Sequence, residues 1–170
     1  MSRLTQPATM DDLLLFRLSR LLATGGAPVI RLCEGRYGIT RREWRLLAML
    51  AQQDGLLSSE LAQRMQLDRS RTSRAITSLV AKKLLLRTPR PGDRRQATLV
   101  LTSAGRTLVE ELFPQVQAIN ERLLSVLAPS DAQQLDLLLD ALQRSADQAD
   151  GQGGLPKANR RLGRRPARVA

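Results

Sequence analysis

Histidine does not occur in these 170 residues, and only four aromatic side chains do: Phe16, Tyr37, Trp44 and Phe113. The absence of histidine removes the commonest general base and metal ligand. Cysteine occurs once, at Cys33, which excludes an intrachain disulfide and any multi-cysteine zinc site. Single-strand readers stack bases on exposed rings, so the scarcity of aromatics points to duplex rather than single-stranded nucleic acid. No run approaches the ~18 apolar residues of a membrane span. The start also lacks the basic-then-apolar plan of a signal peptide, so a cytoplasmic protein with no membrane contact is expected. With no catalytic dyad, phosphate loop or metal cluster in view, neither an enzyme, a metal nor a cofactor is expected.

What the chain has in excess is positive charge. Lys and Arg number 27 against 16 Asp and Glu, a formal net charge of +11. Such a balance favours polyanionic partners, double-stranded DNA first among them. Part of it lies in a tail rich in Gly, Pro, Asn and Arg, where Lys157, Arg160, Arg161, Arg164, Arg165 and Arg168 face Asp150 alone. Residues 149–170 lack periodicity and are expected to be disordered, as are residues 1–9. The length suits one well-buried domain.

The most informative stretch runs from Leu56 to Thr102. Leu61, Ala62 and Met65 fall at helical spacing behind Ser58 and Ser59, which can cap a helix start. Gln66-Leu67-Asp68 interrupts, with Asp68 as the next cap, and a second helix opens Arg69-Ser70-Arg71-Thr72-Ser73-Arg74 and continues through Ile76, Leu79 and Val80 to about Lys83. Arginines and hydroxyls at a helix start are phosphate binders and base-edge readers, the arrangement a helix-turn-helix protein places in the major groove. Leu84–Thr88 and Gln96–Leu101 read as strands. Pro89, Pro91 and Gly92 forbid helix between them, and the basic turn should project as a wing.

Around this lobe the chain is helical. A first helix should start near Thr9, with Asp11 and Asp12 in its first turn, and Thr24-Gly25-Gly26-Ala27-Pro28 should interrupt or bend it. Helix can resume from Pro28 to Arg36. Thr40 and Glu43 form a capping box for a helix that turns Trp44, Leu47, Ala48, Leu50 and Ala51 to the core. Thr102 can cap a long helix to Leu127, kinked or split at Pro114, with Leu108, Leu112, Val116, Ile119 and Leu123 on one stripe. Ser130 to about Gln148 is a further amphipathic helix. The terminal helices have broader apolar faces than one chain can cover, and pairing with the same helices of a second subunit would bury them.

These residues resemble the MarR family of bacterial transcription regulators over roughly residues 10–148. Gly92-Asp93-Arg94-Arg95 is similar to the family's D-x-R signature, and Leu101-Thr102-Ser103-Ala104-Gly105 to the L-T-x-x-G that follows a short strand. Gly38-Ile39-Thr40 before Trp44, and Leu61-Ala62 leading to Arg69–Leu79, add to the match. The resemblance implies a mainly α homodimer with a small β-hairpin wing. Its winged helix-turn-helix lobe would cover residues 40–101, between dimerisation helices at 10–36 and 102–148. It implies a recognition helix lined by Ser70, Arg71, Thr72, Ser73, Arg74 and Thr77, beside Arg69. It also implies that Arg95 enters the minor groove from the wing, next to Arg94 and held by Asp93.

Many relatives bind small aromatic carboxylates between the lobe and the dimer helices. For such an anionic effector Arg17, Arg20 and Arg31 are candidate partners, with Tyr37 and Trp44 as further candidates that are otherwise core or interface residues. Cys33 reads as an inert thiol, since it lies late in the first helical region. The expected function is a ligand-released repressor on a pseudo-palindromic operator; the alternative is an architectural duplex-binding protein with little sequence preference and no effector.

Overall fold

In the computed structural model, residues 2–90 and 93–150 are described, and their side chains except at 90, 93–95, 149 and 150. Seven helices and three strands follow in the order α1 (Leu14–Gly25), α2 (Ala27–Tyr37), α3 (Arg41–Gln52), β1 (Leu56–Leu57), α4 (Ser58–Arg64), α5 (Arg69–Ala81), β2 (Leu85–Arg90), β3 (Asp93–Leu101), α6 (Ser103–Leu124) and α7 (Pro129–Asp150). The chain divides into two compact units, the first ending at Leu123 and the second, which contains α7, beginning at Leu124.

In place of the fraying expected over residues 1–9, Thr5 and Gln6 donate to the Ser2 carbonyl, and the Asp12 carboxylate gathers the Ala8 and Thr9 N–H groups and the Thr9 hydroxyl. The hydroxyl, then the Thr9 amide, hold the Asp12 pKa below the ordinary carboxylate value. A single tight turn, Met10–Asp12, results, and α1 starts only after Leu13 turns extended.

The predicted break falls at Gly26, between α1 and α2. Pro28 sits in the first turn of α2, where its missing N–H costs nothing. Gly38, at φ +61°, ends α2 in the left-handed conformation that glycine adopts without strain. Thr40 and Glu43 cap α3 reciprocally: the Glu43 amide donates to Thr40 Oγ1 at 3.2 Å and the Thr40 amide to Glu43 Oε2 at 2.6 Å. From α3, Trp44, Leu46, Leu47 and Leu50 enter the core. Ala51, expected there, is exposed, because the helix turns it away after Leu50.

The core of the first unit joins these to Cys33, Ile39, Leu61, Ile76, Leu79, Leu85, Leu99 and Leu112, each at most 1 % exposed. The sheet has one strand more than the hairpin expected from the sequence. The strands form a three-stranded antiparallel sheet in the order β1-β3-β2, with Leu56 opposite Leu99 and Leu85 opposite Leu101. Of the two outcomes expected at Pro114, a kink or a split, the split does not occur: α6 runs on through it. The proline forgoes one backbone bond, while Leu112 is buried in the core and the Gln115 side chain donates to the Glu111 carbonyl.

The L-T-x-x-G motif is a junction between wing and helix. Thr102 Oγ1 accepts from the Gly105 amide (2.9 Å) and donates to the Lys83 carbonyl (2.8 Å). Gly105 packs so closely on the Leu84 carbonyl that a Cβ would stand 2.2 Å from that oxygen.

Large apolar side chains remain exposed on the terminal helices. Leu15 of α1 is 78 % exposed and Leu137 of α7 64 %, with Leu18, Leu21, Leu22, Leu138, Leu139 and Leu142 also exposed. No described helix is long and apolar enough to cross a membrane.

Candidate nucleic-acid interface

The start of α5 is fixed by Asp68, whose Oδ1 accepts from the Arg71 amide at 3.1 Å and from the Ser70 hydroxyl at 2.8 Å. Beyond that cap the helix has one buried stripe, Thr72, Ala75, Ile76 and Leu79, packed into the core. Arg69, Ser70, Arg71, Ser73, Arg74 and Thr77 occupy the exposed remainder. Three guanidinium groups and three hydroxyls therefore share the outward surface of one helix, the inventory needed for phosphate and base-edge contacts.

Thr72 does not belong to that set. It is 1 % exposed, and its hydroxyl donates back to the Asp68 carbonyl at 3.0 Å. The helical period places it above Ile76 and Leu79, so it faces the core and is corrected from the DNA-contact expectation. Nor do Ser58 and Ser59 cap α4. Glu60 does, accepting from the Leu57 amide at 2.8 Å, and the serines form its first turn.

An arginine of the basic hairpin joins α5 to the wing. Arg87, on β2, reaches back with Nη2 to Thr77 Oγ1 at 3.3 Å. Thr77 spends its own hydrogen on the Ser73 carbonyl, leaving its oxygen to accept. The Asp93, Arg94 and Arg95 side chains, and the basic tail, lie outside the described residues.

At the other end of α5, Lys82 donates to the Gly38 carbonyl at 2.8 Å and to both Glu43 oxygens at 2.9 and 3.1 Å. Glu43 is 2 % exposed. Burial alone would raise its pKa, but hydrogen bonds from Ser78, the Thr40 amide and Lys82, with the charge of Lys82, hold it below the usual value.

The described residues also form a cleft of about 530 Å³ between α2 and α6, lined by Pro28, Arg31, Leu32, Arg36, Gln115, Ile119 and Arg122 among others. Arg36 donates to Gln115 Oε1 at 3.1 Å, and Gln115 donates to the Tyr37 hydroxyl. Of the effector candidates, Arg31 lines the cleft and Tyr37 touches it through Gln115. Arg17, Arg20 and Trp44 are not among its lining residues. Arg17 lies exposed on α1, while Arg20 is engaged by Asp11 at 2.7 Å and the Phe16 ring. Trp44, 5 % exposed, packs with its ring 6.5 Å from that of Phe113. The meeting of Arg36, Gln115 and Arg122 depends on two helices distant in sequence, which local pattern does not show. Cys33 is wholly buried; burial first, and the charge of Glu34 second, raise its thiol pKa against the opposing charge of Arg41.

A sequence profile of the MarR family matches residues 37–96. The transcriptional repressor MdtR of Bacillus subtilis is 31 % identical over 112 residues, covering 66 % of this chain and 72 % of that protein. The chain belongs to the MarR family. It is accordingly a DNA-binding transcription regulator of winged-helix type. Solved MarR-family and related structures share its fold. In the complex of S. aureus MepR with DNA the TM-score is 0.70 at 24 % identity, over 79 % of this chain and 99 % of MepR. For Bordetella bronchiseptica BpsR, whose DNA binding is regulated by 6-hydroxynicotinic acid, it is 0.72 at 24 %, over 81 % and 97 %.

Proposed function

We propose that this MarR-family protein is a cytoplasmic, homodimeric repressor that holds a pseudo-palindromic operator and is released from it by a small aromatic or heteroaromatic carboxylate. The observation that carries the reading is the outward face of α5, where Arg69, Ser70, Arg71, Ser73, Arg74 and Thr77 stand clear of the core behind the Asp68 cap. Arg71 and Arg74 would read base edges, and the others would set register on the phosphates. From the wing, Arg95 would enter the minor groove with Arg94 beside it and Asp93 supporting it. The exposed leucines of α1 and of α7 support a dimer, since a second copy would cover them. Half-sites would then lie one helical turn, ~10 bp, apart.

The α2–α6 cleft supports the effector part. Its volume suits a small molecule, its walls include Pro28, Leu32 and Ile119, and Arg31, Arg36 and Arg122 supply guanidinium groups for a carboxylate. The 6-hydroxynicotinic acid that regulates DNA binding by BpsR is a ligand of this class.

The experiment is to select a preferred duplex from a random library and titrate its complex with a panel of aromatic carboxylates. At least one should release the DNA, and Arg31→Ala or Arg122→Ala should raise the concentration required while leaving ligand-free DNA affinity intact. Release that is unaffected by either substitution would place the effector elsewhere. Selection that enriches no sequence would favour an architectural duplex-binding protein instead.

A further inference from the structure

We propose that Arg87, together with Ser58 and Ser59, grips one backbone phosphate of duplex DNA between the recognition helix and the wing, an assignment that rests on the DNA-binding reading above. The three residues line a concave site of about 450 Å³ with Leu57, Gln96 and Ala97. Among the described residues, its lining brings together one guanidinium and two hydroxyls and includes no acidic side chain. That is a donor set for a phosphodiester and a poor one for a cation.

The position follows from how β2 is held. Arg87 pairs with Leu99 of the central strand, which fixes its backbone to the sheet. Its side chain is aimed by the bond from Nη2 to Thr77 Oγ1 on α5. That bond uses one of five guanidinium N–H groups, and the planar fork suits two-point contact with phosphate oxygens. Leu57 and Ser58 stand at the join of β1 and α4, and β1 is hydrogen-bonded to the same central strand. The site therefore borders the start of the helix-turn-helix, the base of the wing and, through Thr77, the recognition helix. A phosphate seated there would set the register of α5 without reading a base.

The test compares wild type with Arg87→Gln, Arg87→Lys and Thr77→Val by fluorescence anisotropy, across a salt series. Each is titrated on a duplex selected by the wild type and on a random duplex. Loss of one phosphate contact should lower the slope of log affinity against log salt by about one for Arg87→Gln, equally on both duplexes. Arg87→Lys should keep the slope. Thr77→Val should weaken binding with the slope unchanged, since every charge remains while the aim of Arg87 and the neutral contact of Thr77 itself are lost. Circular dichroism confirms that the variants are folded, and the lysine variant reports even if the glutamine variant is not. An unchanged slope in Arg87→Gln, a fallen slope in Arg87→Lys, or a loss confined to one base pair would overturn the assignment. A wild type that binds neither duplex would instead sink the DNA reading on which it rests.

Discussion

Lys82 Nζ lies 2.9 Å from Glu43 Oε2 and 2.8 Å from the Gly38 carbonyl, so one ammonium ties the end of α5 to the junction of α2 and α3. Glu43 in turn caps α3 through Thr40. The orientation of the recognition helix is thereby tied to the segment that carries Tyr37 and, through Gln115, the α2–α6 cleft. Lys82→Met would leave a buried carboxylate with fewer partners. A loss of about 2 kcal/mol in chemical denaturation is expected, with weaker DNA binding. Unaltered stability would mean that the contact is not made in solution.

The same carboxylate gives a pH signature. Its pKa is lower in the folded chain than in the unfolded one, so its contribution is complete above the unfolded carboxylate range and is lost as pH falls through the folded value. The stability gap between wild type and Glu43→Gln should therefore shrink between about pH 7 and about pH 3. A gap that stays constant over that interval would contradict the assignment.

Gly105→Ala should destabilise the fold, because the new Cβ would meet the Leu84 carbonyl oxygen, a backbone atom that cannot swing aside. About 1–3 kcal/mol and a melting temperature several degrees lower are expected. Gly35→Ala, where a Cβ meets nothing within 4 Å, is the control and should not lower stability.

Much of this was legible in local sequence. The Thr40–Glu43 box, the Asp68 cap and the break at Gly26 are each written in a few neighbouring residues, and each occurs as read. What local pattern could not supply was pairing at a distance. β1 is two residues long and exists only because Leu56 and Leu57 meet Leu99 and Thr98. Arg87 acquires its direction from Thr77, and the cleft combines arginines of α2 and α6. Thr72 was misassigned for another reason: its polar type suggested surface, although its spacing from Ile76 and Leu79 already placed it inward. The terminal leucines show periodicity, but the second copy proposed to cover them lies beyond any local pattern.

Minor-groove entry by the wing predicts a dependence on flanking sequence. Arg95→Ala should weaken binding chiefly where the flanks are A·T-rich, since a narrow minor groove concentrates negative potential. Equal loss on all flanks, measured on a panel of duplexes, would count against that role.

The central claim is that the exposed face of α5 reads sequence. It is tested most directly by competing a selected duplex against random DNA at physiological salt, for wild type, Arg71→Ala, Arg74→Ala and Thr72→Val. Wild type should prefer the selected duplex by ~10³-fold or more. Each arginine variant should lose ~1–3 kcal/mol on the selected duplex and much less on random DNA. The buried Thr72→Val should match wild type. If wild type shows no preference, or the arginine variants lose both duplexes equally, α5 is not the reader.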